Sequence, residues 1–271
     1  VFLNFFNHGG LGDIHVSRTF IKDIINQSNI NITYYTNHSS EIIKDIPVSH
    51  SKIENWMDRS MKMECISDKI YFNTWYGHQT HTILQTLYNN FTPLYNKIGI
   101  EQKSLIYYIP QIEYNIYNIK NIDNFIKDDK RYVLICNNNV NSGQSINYDF
   151  DYIINDLSES FPYFIFIISN STSIKKSNVI QFDEIVKFNY NLNEISYLST
   201  KCDYIIGRNS GPHTFCYVKE NMDRNCVFIS SVHKEWRYFD FGLSKIYNNV
   251  KFYNVPPTFD VLNGMKEIIN L

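Results

Sequence analysis

Residues 205–213, IIGRNSGPH, set an apolar run ending in Gly207 against a polar tip, Arg208-Asn209-Ser210, followed by Gly211-Pro212. The pattern is that of a strand, a turn and the start of a helix. Such a turn suits an anion: a helix N-terminus presents unpaired N–H groups and about half a positive charge, proline is favoured in the first helical turn, and glycine lets a ligand approach the backbone. The candidate phosphate holders are the amides of Ser210, Gly211 and His213, beside Asn209 and Pro212, together with the Ser210 hydroxyl. Arg208 adds a permanent cation matched to phosphate, the alternative being a surface pair with a carboxylate. A second such turn, HGGLGD at residues 8–13, follows the apolar run 2–6. There Asp13 reads either as a general base or as an N-terminal helix cap, and Gly9, Gly10 and Gly12 keep the loop close-fitting. Two such turns, one per half of the chain, imply a two-lobed enzyme with a cleft.

The elements that must position these turns alternate between strand and helix, which predicts parallel sheets with helices on their faces. In the first half, strands are expected at 2–6, 30–35 and 69–72, and helices at 14–25, 41–44 and 80–98. Residues 121–131 are polar and charged and are the linker candidate, with domains at 1–125 and 126–271. In the second half, strands are expected at 132–136, 163–168, 178–181, 204–206 and 226–230, and helices at 150–158, 192–199, 212–219 and 258–269. The restart after a polar stretch favours two successive α/β units over one continuous sheet.

Composition narrows the function. With 44% hydrophobic and 19% charged residues, the 271-residue chain reads as a folded globular protein with ample core. A formal net charge of −2 lacks the basic footprint that dominates nucleic-acid affinity, so a nucleic-acid partner is disfavoured. Five cysteines without a C-x-x-C pair indicate neither a disulfide framework nor a zinc site, and a reducing, cytoplasmic setting fits them best. No apolar run approaches the roughly 20 residues of a membrane span, which leaves room only for peripheral membrane contact. The start at Val1 rather than Met suggests a trimmed chain.

The stretch 191–212, NLNEISYLSTKCDYIIGRNSGP, resembles the donor-site block of heptosyltransferase-like glycosyltransferases, in which a Leu and a Glu precede an Asp, a Gly and a turn ending in Gly-Pro at this spacing. HGGLGDIHVSR at 8–18 is similar to that family's N-terminal G-x-G-D segment, and ISSVHKEWRYF at 229–239 stands where the family carries a strand and then a conserved-pattern Trp. The resemblance implies an α/β GT-B fold: two Rossmann-like domains with parallel sheets facing across a cleft, the nucleotide-sugar donor on the C-terminal domain and the acceptor on the N-terminal one. It also implies that the last helix crosses back to the first domain. The activity implied is metal-independent, inverting transfer of a sugar from a nucleotide diphosphate to a glycan or lipid-linked glycan acceptor, with no cofactor.

Under that resemblance Asp13 becomes the catalytic base, the turn 208–213 the diphosphate cradle, and Glu194 a contact to the nucleotide ribose, against its plain reading as a solvated helix residue. The family's basic residue after the first strand of the second domain has no counterpart in NNNVNSGQS (137–145), where Asn141, Ser142 and Gly143 are the alternative phosphate contacts. Asn209 stands where the family often has Asp. Gly10, Gly12, His15, Arg18, Trp75, His78 and Trp236 are the acceptor-side candidates, aromatic faces suiting sugar stacking and core packing being the competing use. His213 reads as structural or as a ligand contact. Two other classes stay open: an epimerase-type nucleotide-sugar enzyme, and a non-catalytic nucleotide- or glycan-binding module.

Overall fold

Strand β1 (Phe2–Asn7) buries Leu3, Phe5 and Phe6 completely, on both faces of the strand, as a central strand covered by helices requires. It belongs to the first of two compact units, Val1–Ile112 and Glu113–Leu271, of a computed structural model that describes residues 2–75, 82–141, 143–187, 191–233, 247, 249–258 and 260–271. In the first unit β1 is followed by α1 (Leu11–Gln27), β2 (Asn31–Thr36), a 3-10 turn (Ser40–Ile43), β3 (Ser49–Ser51), β4 (Met63–Ile66), β5 (Lys69–Asn73) and α2 (Ile83–Ile98). The sheet order is β3-β2-β1-β5-β4, with Phe2 paired to Asn31 on one side and Lys69 on the other. All pairs are parallel except β4 on β5, a hairpin turned at Ser67, whose φ is +56. Its core is aromatic: Phe20 stacks on Tyr108 at 4.0 Å and on Phe91 at 4.5 Å.

The second unit holds α3 (Lys120–Phe125), β6 (Arg131–Cys136), α4 (Asp151–Ser160), β7 (Phe164–Ile168), β8 (Val179–Gln181), α5 (Phe182–Ile185), α6 (Leu192–Ser199), β9 (Tyr204–Arg208), α7 (Gly211–Phe215), α8 (Lys219–Met222), β10 (Cys226–Ser231), β11 (Val250–Val255) and α9 (Val261–Ile269). Its six strands run in the order β11-β10-β9-β6-β7-β8, all parallel. This is the doubly wound Rossmann order, which reverses direction between β6 and β9. The corresponding reversal in the first sheet lies between β1 and β5. The core beneath joins Ile153, Leu157, Phe166 and Ile206.

Three expectations change. The division falls at 112/113 rather than at 125/126, because residues 113–123 are fastened to α6: Tyr114 shares a hydrogen bond with Ser196 (3.0 Å), Asn118 N–H donates to Glu194 (3.1 Å) and Tyr197 donates to Asp123 (2.6 Å). The last helix does not leave its own unit: Val261, Met265 and Ile269 sit in the second core, Tyr204 donates to the Ile269 carbonyl and Lys266 pairs with Asp156. The helix expected at 212–219 is broken into α7 and α8 at residues 216–218. No helix among the described residues is long and apolar enough to cross a membrane.

Candidate functional site

In open α/β sheets the ligand crevice lies beyond the carboxyl ends of the strands, where strand order reverses. In the second unit that places it between the loop after β6 and the turn after β9. The two strands approach unusually closely here: a Cβ on Gly207 would stand 2.5 Å from the Cys136 carbonyl oxygen. Gly207 is therefore required by strand contact.

Arg208 then organises the loop. Its side chain is 1% exposed; Nε donates to the Ile146 carbonyl (3.0 Å), Nη1 to the carbonyls of Asn137 (2.6 Å) and Asn138 (3.3 Å), and Nη2 to that of Tyr148. The guanidinium also packs against the rings of Tyr148 and Phe150, at 4.7 and 4.5 Å. Burial lowers its pKa, yet a guanidinium stays charged at any working pH. Further bonds complete the loop. Val140 and Asn147 exchange two hydrogen bonds (2.8 and 2.9 Å), Gly143 takes a left-handed φ of +72, and Tyr148 donates to Ser231 (2.7 Å). Burial raises the Tyr148 phenol to about 12, against the opposing effects of Ser231 and Arg208. Beside this loop opens a cavity of about 660 Å³ lined by Asn137, Asn139, Tyr148, Asp151, Asn170 and Ser173 among others.

The turn itself keeps some of its expected donors and loses others. Arg208, expected as a phosphate ligand, serves as a loop clamp, with four of its five N–H groups taken by backbone carbonyls. His213 is structural as well: it is fully buried, edge-on to Tyr217 and Phe228, and burial lowers its pKa to about 4, with only weak opposing support from the Ile205 backbone. Pro212 occupies the first turn of α7. Asn209 is buried, its amide oxygen accepting from Thr214 at 3.4 Å. Ser210 is 4% exposed and its hydroxyl makes no hydrogen bond among the described residues, while a Cβ on Gly211 would meet none of them within 4 Å. Asn141 is exposed and Ser142 lies outside the described residues. Glu194 is buried and accepts from the Asn118 backbone, which makes it an anchor for the segment before β6 rather than a ribose contact.

Sequence reading missed Gln144 and Ser145. Both are 7% exposed, and Gln144 bridges the loops: its Nε2 donates to the Asn209 carbonyl (2.8 Å) and its own carbonyl accepts from His233 N–H (2.9 Å). Its side-chain oxygen and the Ser145 hydroxyl have no hydrogen-bond partner among the described residues. The run of polar residues at 137–145 signalled a site without ranking its members.

In the first unit the turn after β1 is equally built. Gly9 N–H donates to Asn7 Oδ1 (2.7 Å), His38 Nε2 donates to the Gly9 carbonyl (3.0 Å), and Asn7 reaches across to Thr74 after β5 (2.8 Å). Asp13 is the third residue of α1 and accepts from Gly10 N–H at 2.5 Å, so capping is a role it holds. A Cβ on Gly9 would stand 2.7 Å from the Asp13 carboxyl carbon, which explains that glycine. Gly10 and Gly12 flank the same cap. Of the acceptor candidates, His15 and Arg18 are buried, Arg18 against Asp45 (3.1 Å) and the Ile42 carbonyl (2.8 Å), so both serve the core. Trp75 has the Arg59 guanidinium 4.1 Å from its ring centroid, which covers one stacking face. His78 and Trp236 lie outside the described residues. Among the described residues no cluster of three or more His, Cys, Asp or Glu side chains is placed to hold a metal ion.

This architecture recurs in solved structures. The chain is similar to E. coli heptosyltransferase WaaC with ADP, at TM-score 0.57 over 100% of this chain and 99% of that one, with 8% identity. The fold is GT-B. The glycosyl transferase family 9 from Veillonella parvula DSM 2008 gives 0.56 over 98% and 89%, with 10% identity, and the glycosyltransferase SnogD from Streptomyces nogalater gives 0.51 over 94% and 87%, with 7% identity. No protein-family model matches the sequence, and no curated protein matches it. At such identities it is the GT-B fold that is shared, and the switch-point loops of the second GT-B unit carry this chain's own residues.

Proposed function

We propose that the chain is a heptosyltransferase-like glycosyltransferase that moves a sugar, with inversion and without a metal, from a nucleotide-diphosphate donor to a glycan or lipid-linked glycan acceptor. The observation that carries this reading is the corner after β6 and β9, where the unpartnered Ser210 hydroxyl and the open face of Gly211 adjoin the clamped loop. WaaC structures hold ADP and ADP-2-deoxy-2-fluoro heptose, which supports a diphosphate-linked sugar as donor. In this mechanism the Asp13 carboxylate takes the proton of the acceptor hydroxyl as its oxygen attacks the anomeric carbon. The bond to the diphosphate breaks, and the backbone at Gly211, where α7 begins with an open face, offsets the charge that develops on the leaving group.

The test has two parts. A thermal-shift screen of nucleoside diphosphates and nucleotide sugars should raise the melting temperature by about 5 °C or more at 100 times the dissociation constant, because a ligand bound only by the folded state adds about 2.7 kcal/mol there. No shift from any nucleotide refutes the reading. With the donor in hand, transfer is assayed in EDTA for wild type and Asp13→Asn. Asn keeps an acceptor for Gly10 N–H, so the fold should hold while turnover falls at least a hundredfold. Undiminished turnover removes Asp13 as the base, and loss of wild-type activity in EDTA removes metal independence.

A further inference from the structure

Three buried side-chain oxygens at the β6/β9 corner have no hydrogen-bond partner among the described residues: Gln144 Oε1, Ser145 Oγ and Ser210 Oγ. They are not scattered. Gln144 and Ser145 are neighbours in the loop after β6, and Gln144 Nε2 is bonded to the carbonyl of Asn209, the residue before Ser210. A buried polar atom left unpaired is costly, so such a group points to something that completes it.

The chemistry of the three atoms says what that is. An amide oxygen accepts hydrogen bonds and cannot donate, so a phosphate oxygen leaves Gln144 Oε1 unsatisfied and is repelled by it. A ligand hydroxyl satisfies it by donating. The two serine hydroxyls can then donate to, or accept from, further hydroxyls of the same group. Arg208, the cation nearest in sequence, has four of its five N–H groups committed to the carbonyls of residues 137, 138, 146 and 148, and its guanidinium packs against the rings of Tyr148 and Phe150. Resting on the donor reading above, we propose that Gln144, Ser145 and Ser210 form the subsite for the sugar of the nucleotide sugar, with Gln144 Oε1 accepting from one of its hydroxyls. These residues then set which sugar is accepted.

Ser210→Ala is the clean probe, since the Ser210 hydroxyl makes no hydrogen bond among the described residues and its loss should leave the melting temperature unchanged or slightly raised. Gln144→Met, which also removes the bond to Asn209, is the second variant. Titration calorimetry compares ADP, UDP and GDP with ADP-glucose, UDP-glucose and GDP-mannose on each protein. In at least one pair the wild type should bind the sugar conjugate more tightly than its nucleoside diphosphate. Both variants should lose about 5- to 10-fold in affinity for that conjugate, with diphosphate affinity held within about twofold. Equal losses for diphosphate and conjugate would place phosphate at the corner and overturn the proposal. So would unchanged affinities in both variants, or a wild type indifferent to the sugar in all three pairs. Failure of all six ligands to bind the wild type would overturn the donor reading itself, which separates the two failures.

Discussion

Replacing Arg208 by Met keeps the apolar stem and deletes the guanidinium, so it isolates what the clamp contributes. Four backbone carbonyls lose their donor, those of Asn137, Asn138, Ile146 and Tyr148. A hydrogen bond to a charged group is worth about 1.5–3 kcal/mol when buried, but the residues bearing these carbonyls are themselves partly or fully exposed, and water recovers much of each loss. The contacts with Tyr148 and Phe150 add about 1 kcal/mol. The net cost is about 3–4 kcal/mol, or about 10 °C in melting temperature for a unit of this size. Arg208→Lys keeps the charge, but an ammonium has three donors and no planar face, so about half that loss is expected. Differential scanning calorimetry reads both variants. The clamp is refuted if Arg208→Met melts within about 2 °C of wild type, or if Lys is no better than Met.

Two further outcomes follow from the same corner. His213 titrates at about 4 in the folded protein against 6.5 when exposed, so as pH falls the unfolded chain takes up its proton first; the stability this residue contributes is complete above pH 6.5 and is lost on the way down to pH 4. Urea unfolding at pH 7 and pH 5 should show wild type losing about 2 kcal/mol more than His213→Phe, and equal losses would remove His213 as the sensitive group. Gly207→Ala would set a Cβ 2.5 Å from the Cys136 carbonyl oxygen and 2.7 Å from its Cβ, forcing β6 and β9 apart at a cost of about 2–3 kcal/mol; a urea midpoint unchanged from wild type would contradict that close approach.

What the sequence revealed, and what it hid, follows from the range of each interaction. Helix 192–199 and the strands at 2–6 and 132–136 were legible because apolar periodicity is local, and the strand-turn-helix at 205–213 was legible because its Gly and Pro are local too. The short strands β3 and β4 carry mostly exposed, polar or mixed residues and had no such signal. At the site, several residues hold structural roles that the local sequence does not announce. Arg208 was read as a phosphate ligand because nothing local says that its donors meet carbonyls 60 to 71 residues earlier in the chain. His213 carried a clearer hint, since Tyr217 stands four residues on, although α7 ends before that position. Asn141 and Gln144 are indistinguishable as letters in NNNVNSGQS, and only the Val140–Asn147 closure decides that the first faces solvent and the second faces the turn.

The missed residue and the misread one turn out to be parts of a single latch. Arg208, at the end of β9, holds the loop after β6 through four carbonyls; Gln144, in that loop, holds the carbonyl of Asn209, the residue next to Arg208. Each strand end therefore secures the other's loop, across the point where the sheet order reverses. A cation used in this way determines whether Gln144 and Ser210 stand together. The strand end that resembles a family's phosphate cradle thus supports a subsite whose free atoms are neutral, and the selectivity of this chain rests with the amide and hydroxyls that the clamp brings into register.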